Sequence, residues 1–204
     1  MAVFYYILSR LVTVLLCIWY DVRFEGAGNV PRQGGYLLVC NHRSFLEPVL
    51  LTWKVPSHIC YFAKTELYDH PFLGIIVRVA GTIRIQRGAG DTGALDRAGA
   101  LLKKGKVVGV FPEGTRSRDG SLQRAKSGVA VMAKMTGADI LPCCVLMDKP
   151  LRFRSPITIR YGKMIANSEL GLTGQSLRET AAAGKIIMAR IAALMEGQAG
   201  ESLD

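Results

Sequence analysis

The segment Asn41-His42-Arg43-Ser44-Phe45-Leu46-Glu47-Pro48 places an imidazole and a carboxylate five positions apart. A carboxylate against one ring nitrogen of a histidine fixes the tautomer and leaves the other nitrogen to take a proton. The pair therefore suits general-base work on a hydroxyl. A purely architectural reading is equally open: Ser44 as a helix N-cap with Glu47 at the third helical position makes a capping box. A second stretch, Phe111-Pro112-Glu113-Gly114-Thr115-Arg116-Ser117-Arg118-Asp119-Gly120, combines flexible backbone, hydroxyls and two guanidinium forks. That combination suits a phosphate monoester, against the plainer reading of a solvated basic turn. A third, Gly81-Thr82-Ile83-Arg84-Ile85-Gln86-Arg87, puts Arg87 at the end of an apolar run, as a ligand or as a surface arginine.

These residues need elements that bring them together. The apolar run 36–40 predicts a buried strand that ends just before His42, and 106–111 predicts another that ends at Glu113. Further strands are expected at 21–25, 58–63, 82–86, 139–147 and 156–161, with helices near 46–54, 72–80, 91–104, 122–135 and 176–196. Alternation of this kind predicts an α/β fold with a mostly parallel central sheet flanked by helices, forming one domain over residues 21–204. Parallel strands would bring His42, Arg87 and Glu113 to one sheet edge. Ile140-Leu141-Pro142-Cys143-Cys144-Val145 is a strand interrupted by proline, which belongs at a strand start, edge or bulge. The segment 72–77 predicts a helix packed on the sheet, or an apolar surface for lipid or acyl chain.

Residues 1–20 carry a single charge, Arg10. Tyr6, Arg10, Thr13, Cys17 and Tyr20 recur at spacings of four and three and form a semi-polar stripe on an apolar helix. An interfacial or half-inserted membrane-anchoring helix fits this better than a clean span, an ordinary buried helix or a cleaved signal peptide. The chain has 204 residues, 50% of them hydrophobic, a mean hydropathy of +0.23 and a net charge of +10. A basic, apolar protein points to an anionic membrane surface or an anionic substrate. Nucleic acid is the weakest partner: aromatic content is 8%, and no zinc finger, helix-turn-helix or RNA-binding motif stands out. Between Arg97 and Lys134 nine Lys/Arg face two acids, a positive stretch suited to lipid headgroups. Cys17, Cys40, Cys60, Cys143 and Cys144 lie mostly in apolar runs and read as buried thiols in a reducing compartment. Cys40 stands two residues from His42, but as a strand residue it should point into the core. No metal-ligand spacing is present, so no metal is expected.

In order along the chain, Asn41–Glu47, Lys64-Thr65-Glu66-Leu67 with Pro71-Phe72-Leu73-Gly74, Gly81–Arg87, Phe111–Ser117 and Ile140–Val145 resemble the sequence blocks of the glycerolipid acyltransferase family. The likeness is specifically to the PlsC-like 1-acylglycerol-3-phosphate (lysophosphatidate) acyltransferases, and it covers about residues 36 to 145. It implies transfer of a fatty acyl group from acyl-CoA or acyl-carrier protein to the free hydroxyl of a lysophospholipid, giving phosphatidic acid, with no cofactor and no acyl-enzyme. His42 would be the general base and Glu47 its orienting partner. Arg87, Glu113, Gly114, Thr115 and Arg116 would shape the acceptor pocket, and Lys64, Arg118 and Lys126 would add phosphate or headgroup contacts. Backbone N–H groups of the loops would hold the oxyanion. The first helix would dock the enzyme as a monotopic protein on the cytoplasmic face of the cell membrane.

Two positions depart from the family pattern. Glu47 stands where the family usually has Asp, with roughly 1.5 Å of extra reach, and Arg84 stands where an apolar or aromatic residue is usual. Other acceptors (glycerol-3-phosphate, a lyso-aminolipid or a glycolipid) would use the same chemistry. A lipid-binding membrane protein without catalysis is the rival of a different class.

Overall fold

The structure, a computed structural model, describes residues 2–86, 92–117, 119–174 and 176–197. Runs such as Leu37-Leu38-Val39-Cys40 show no polar alternation because both faces of these strands are covered. The strands are β1 (Asp21–Glu25), β2 (Leu37–Cys40), β3 (Ile59–Lys64), β4 (Ile83–Ile85), β5 (Val107–Val110), β6 (Ile140–Met147) and β7 (Pro156–Tyr161). They form one sheet in the order β1-β7-β6-β2-β5-β3-β4, in which every neighbouring pair is parallel except β6 with β7. The mostly parallel sheet expected from the sequence is therefore present. Pro142 lies inside β6, yet its carbonyl accepts from Gly162 N–H at 2.8 Å, one residue before the ladder with β7 begins at Cys143. Its missing N–H therefore faces the end of that ladder and removes no strand bond.

The helices are α1 (Ala2–Trp19), α2 (Glu47–Leu50), α3 (Thr65–Asp69), α4 (Leu73–Val79), α5 (Thr92–Lys103), α6 (Gly128–Thr136) and α7 (Leu177–Met195). One face of the sheet packs Leu37, Val39 and Val108 against Ala98 of α5, Ala133 of α6 and Ile187 and Ile191 of α7. The other face packs Leu38, Val107 and Leu141 against Leu50, Leu51 and Val55 around and beyond α2. The helix expected over 122–135 begins only at Gly128. Residues before it are held in an irregular path, because Gln123 N–H donates to Glu113 and Lys126 N–H donates to Pro112 O at 2.9 Å.

The semi-polar stripe of α1 faces the protein. Tyr6 Oη donates to Pro56 O at 2.6 Å, Arg10 donates to Trp53 O and lies over the Trp53 ring, and Thr13 is fully buried. Ile7, Leu11, Leu15, Ile18 and Trp19 are left exposed on the opposite side. Among the described residues no helix is long and apolar enough to cross a membrane.

Gly109 of β5 lies opposite Tyr61 of β3, and the Tyr61 ring crosses the place a side chain would take: a Cβ there would stand 2.2 Å from Tyr61 Cε1. Tyr61 in turn stacks on Phe111, with centroids 5.7 Å apart. Gly109→Ala is expected to cost about 1–3 kcal/mol by forcing that ring aside. Chemical denaturation measures this; a variant as stable as the parent would refute the packing argument.

Candidate active site

Four adjacent parallel strands, β2, β5, β3 and β4, end at one edge of the sheet. His42 follows β2, Lys64 ends β3, and Phe111 to Gly114 follow β5. β2 stops because Asn41 leaves the ladder: its side-chain Nδ2 donates to Val145 O at 3.0 Å and its Oδ1 accepts from Val145 N–H at 2.8 Å. The main chain of residue 42 is thereby released to turn.

The turn is built on two buried carboxylates. Glu47 is 0% exposed and is the first residue of α2, so the helix starts later than a cap at Ser44 requires. One oxygen, Oε1, accepts from Ser44 N–H at 2.7 Å and from Arg43 N–H at 3.2 Å. The other, Oε2, lies 3.1 Å from His42 Nδ1. One oxygen thus holds the main chain of the turn before the helix, and the other orients the imidazole. With Nδ1–H directed at Glu47, Nε2 is the nitrogen left to accept a proton. The imidazole also stacks on Phe111 at 4.0 Å between centroids, which fixes its plane.

Glu113 is 2% exposed. Its Oε1 accepts from the backbone N–H of His42 at 2.8 Å and its Oε2 from Gln123 N–H at 3.2 Å. Both oxygens thus serve the main chain, and Glu113 ties two loops together instead of lining an open acceptor pocket, where the family likeness would put it. Burial raises its carboxyl above the ordinary range, against the lowering effect of the two N–H donors. Gly114 takes a left-handed φ of 70°, and a Cβ there would come 2.8 Å from Lys126 Cδ, so only glycine lets Lys126 lie across the loop.

Two cavities open around this turn, one lined by His42 and the other by its neighbour Arg43. The first, about 350 Å³, is lined mostly by apolar groups, among them Phe62, Ile85, Leu95, Val110, Val129 and Met132, with Lys64, Gly114 and Lys126 among its polar members. The second, about 890 Å³, is polar and holds Arg43, Thr115, Arg116 and Lys149 with Asp119 as its acid. Arg116 lies over the exposed Phe45 ring at 3.8 Å. Hydrogen bonds from Ser121, and then from Ser117, hold the Asp119 carboxyl down at about 2.

The expected site residues therefore divide. His42, Lys64, Gly114 and Lys126 border the apolar cleft, and Thr115 and Arg116 border the polar one. Glu47 and Glu113 stand behind the site, in buried positions. Arg87 and Arg118 lie outside the described residues. Arg84 lines neither of these cavities; it lies 3.4 Å from Thr65 Oγ1 and over the Tyr68 ring. Arg43 and Lys149 were not anticipated. Arg43 fills the variable position of the first block, while Lys149 follows β6 in a stretch with no motif. The Cys40 thiol is buried and pushed well up by burial, so it offers no thiolate beside His42.

A protein-family model described as Acyltransferase matches residues 21–146. The 1-acyl-sn-glycerol-3-phosphate acyltransferase of Borreliella burgdorferi is 31% identical over 119 residues, which are 57% of this chain and 48% of that protein. The protein of the same name from Bacillus subtilis is 28% identical over 136 residues, 66% of this chain and 67% of that one. The chloroplastic LPAT1 of Arabidopsis thaliana is 30% identical over 147 residues, 41% of its own length, so the chain spans about half the length of several relatives it matches. The crystal structure of the 1-acyl-sn-glycerophosphate (LPA) acyltransferase PlsC from Thermotoga maritima superposes with a TM-score of 0.70 at 24% identity. The match covers 95% of this chain and 78% of that one, and it shows a shared fold.

The pH dependence of stability tests the Glu113 tie. A raised folded-state pKa means that the stability Glu113 contributes is full at low pH and is lost as pH rises from its ordinary value through the raised one. Glu113→Gln abolishes that pH-dependent part and sets an amide NH₂ against one of two N–H donors. It should cost about 1–3 kcal/mol at neutral pH. Urea unfolding between acid and neutral pH reads both effects; a variant with the parent's profile would sink the tie.

Proposed function

The chain belongs to the acyltransferase family, and on that premise we propose that it moves a fatty acyl group from an acyl thioester to the hydroxyl of 1-acyl-glycerol-3-phosphate, yielding phosphatidic acid. The observation that carries the reading is His42, oriented at Nδ1 by a buried carboxylate and lining an apolar cavity, with the next residue, Arg43, lining a cationic one. The apolar cleft accepts an acyl chain, and the cationic one accepts a phosphate monoester. A neutral acceptor such as a glycolipid would leave Arg43, Arg116 and Lys149 facing one acid and no ligand charge.

In this mechanism His42 Nε2 takes the proton of the acceptor hydroxyl as its oxygen attacks the thioester carbonyl. The tetrahedral oxyanion collapses, the C–S bond breaks, and the imidazolium returns the proton to the departing thiolate. Glu47 holds the tautomer and stabilises the imidazolium, as in other carboxylate–imidazole pairs. Arg116 and Thr115 hold the acceptor's phosphate, with Arg43 and Lys149 beside them. Lys64 and Lys126 meet charge at the mouth of the apolar cleft. The exposed apolar face of α1 lies on the membrane, so that the domain sits monotopically where the lipid substrates reside. Both acyl-CoA and acyl-carrier protein satisfy the donor chemistry.

Purified protein in vesicles should convert lysophosphatidate to phosphatidic acid with at least one of the two donors; product from neither would end the proposal. His42→Ala should lose about 10²–10⁴-fold in rate while remaining folded. Glu47→Asp pulls the carboxylate back by one methylene, so that it cannot serve both Ser44 N–H and His42 Nδ1 in place. It should lower kcat roughly 10- to 100-fold with little change in KM. Full activity of the aspartate variant would show that imidazole orientation does not depend on this reach.

A further inference from the structure

The proposed reaction brings three things to His42: an acyl chain, an acceptor headgroup, and the arm that bears the thioester. The apolar and polar cavities account for the first two. A third cavity of about 300 Å³ lies between residues 124–127 and α7. Its cations are Arg124, Lys126 and Lys185, and no Asp or Glu lines it. The side chains of these three residues form no hydrogen bond or ion pair among the described residues. Three like charges gathered without an acid invite an anion.

The groove is connected to the chemistry. Lys126 borders both it and the apolar cleft, and its ammonium stands 3.0 Å from where a Cβ of Gly114 would be. A ligand leaving His42 over Gly114 and Lys126 therefore reaches Arg124 and Lys185 without crossing the Arg116 cleft. Small residues keep the groove narrow: Ala125, Ala181 and Gly184 line it, and a Cβ on Gly184 would lie 3.5 Å from that of Ala125. Leu177 and Met188 give it apolar sides. A narrow groove with apolar walls and cations at its rim fits a thin, amide-bearing chain that ends in a phosphate.

We propose that this groove holds the phosphopantetheine arm of the acyl donor, with the phosphate between Arg124 and Lys185 and the thioester delivered past Lys126 to His42. The inference rests on the acyl-transfer reading. CoA and acyl-carrier protein share the arm, so the site serves either donor.

The test is Arg124→Ala/Lys185→Ala, with Lys103→Ala as a control at the C-terminal end of α5. Donor KM should rise roughly 10- to 100-fold for both acyl-CoA and acyl-carrier protein, the loss expected for charge-assisted contacts to a phosphate. KM for lysophosphatidate should stay unchanged, as should the rate with an acyl-N-acetylcysteamine thioester, which has no phosphate. Calorimetric affinity for a non-transferable acyl-CoA thioether should fall in step, with no turnover required. Unchanged donor KM and thioether affinity would overturn the proposal. A loss confined to acyl-CoA would also overturn it, because it would assign the cations to the adenosine phosphates. So would a variant that loses only binding to anionic vesicles. A parent protein that binds the thioether through these residues yet acylates no lysophosphatidate would refute the acyl-transfer reading and leave the site standing.

Discussion

A carboxylate shut away from water must find donors for both its oxygens, and the loop after β2 is arranged around two that do. Glu47 and Glu113 together take the backbone N–H groups of His42, Arg43 and Ser44, and the one oxygen remaining between them besides the Gln123 contact faces the imidazole. In a low-dielectric setting each of these bonds is costly to leave unmade. Residues 42–44 therefore have little choice of path, and the position of the ring follows from the position of the main chain. The Phe111 ring supplies the remaining constraint by fixing the imidazole plane. The imidazole is held by buried polar contacts on one side and by aromatic packing on the other.

Much of this was legible in the sequence. Apolar runs marked β2, β5 and, around its proline, β6, and their alternation with helices carried the parallel sheet and its shared edge. Glu47 was legible as the partner of His42, the contact its Oε2 makes; the sequence could not show that its other oxygen holds the main chain of Arg43 and Ser44 at the same time. The start of α6 was misplaced because the apolar spacing of 122–135 is helical, while tertiary contacts from Glu113 and Pro112 hold residues 122–127 off that path. Glu113 itself looked like a pocket residue, since only the fold reveals that it faces main-chain donors from two loops. Lys149 left no trace, being brought to the site by the end of β6 and not by any local pattern. Arg84, a departure from the family pattern, is held against Thr65 and Tyr68 of α3 and lines neither cavity.

The first helix has a polar stripe whose direction its sequence alone does not give. A semi-polar stripe on an apolar helix invites the picture of a water-facing side. Here Tyr6 and Arg10 donate to the carbonyls of Pro56 and Trp53, the buried Thr13 hydroxyl donates to Ser9 O of its own helix with Val49 O beyond it, and the apolar residues turn outward. The polar groups satisfy backbone carbonyls at the helix–domain contact, so the outward surface is more apolar than composition alone suggests.

The Asn41 amide also has a consequence for the sheet itself. β6 continues through Met147, whereas β2 ends at Cys40 opposite Cys143. On the β2 side the last part of β6 would offer bare main-chain groups, the kind of strand edge on which another chain can assemble. Asn41 answers the N–H and C=O of Val145 with one side chain, as a residue of a neighbouring strand would. The residue that ends β2 and frees the His42 turn thereby also seals a rim that would otherwise invite self-association.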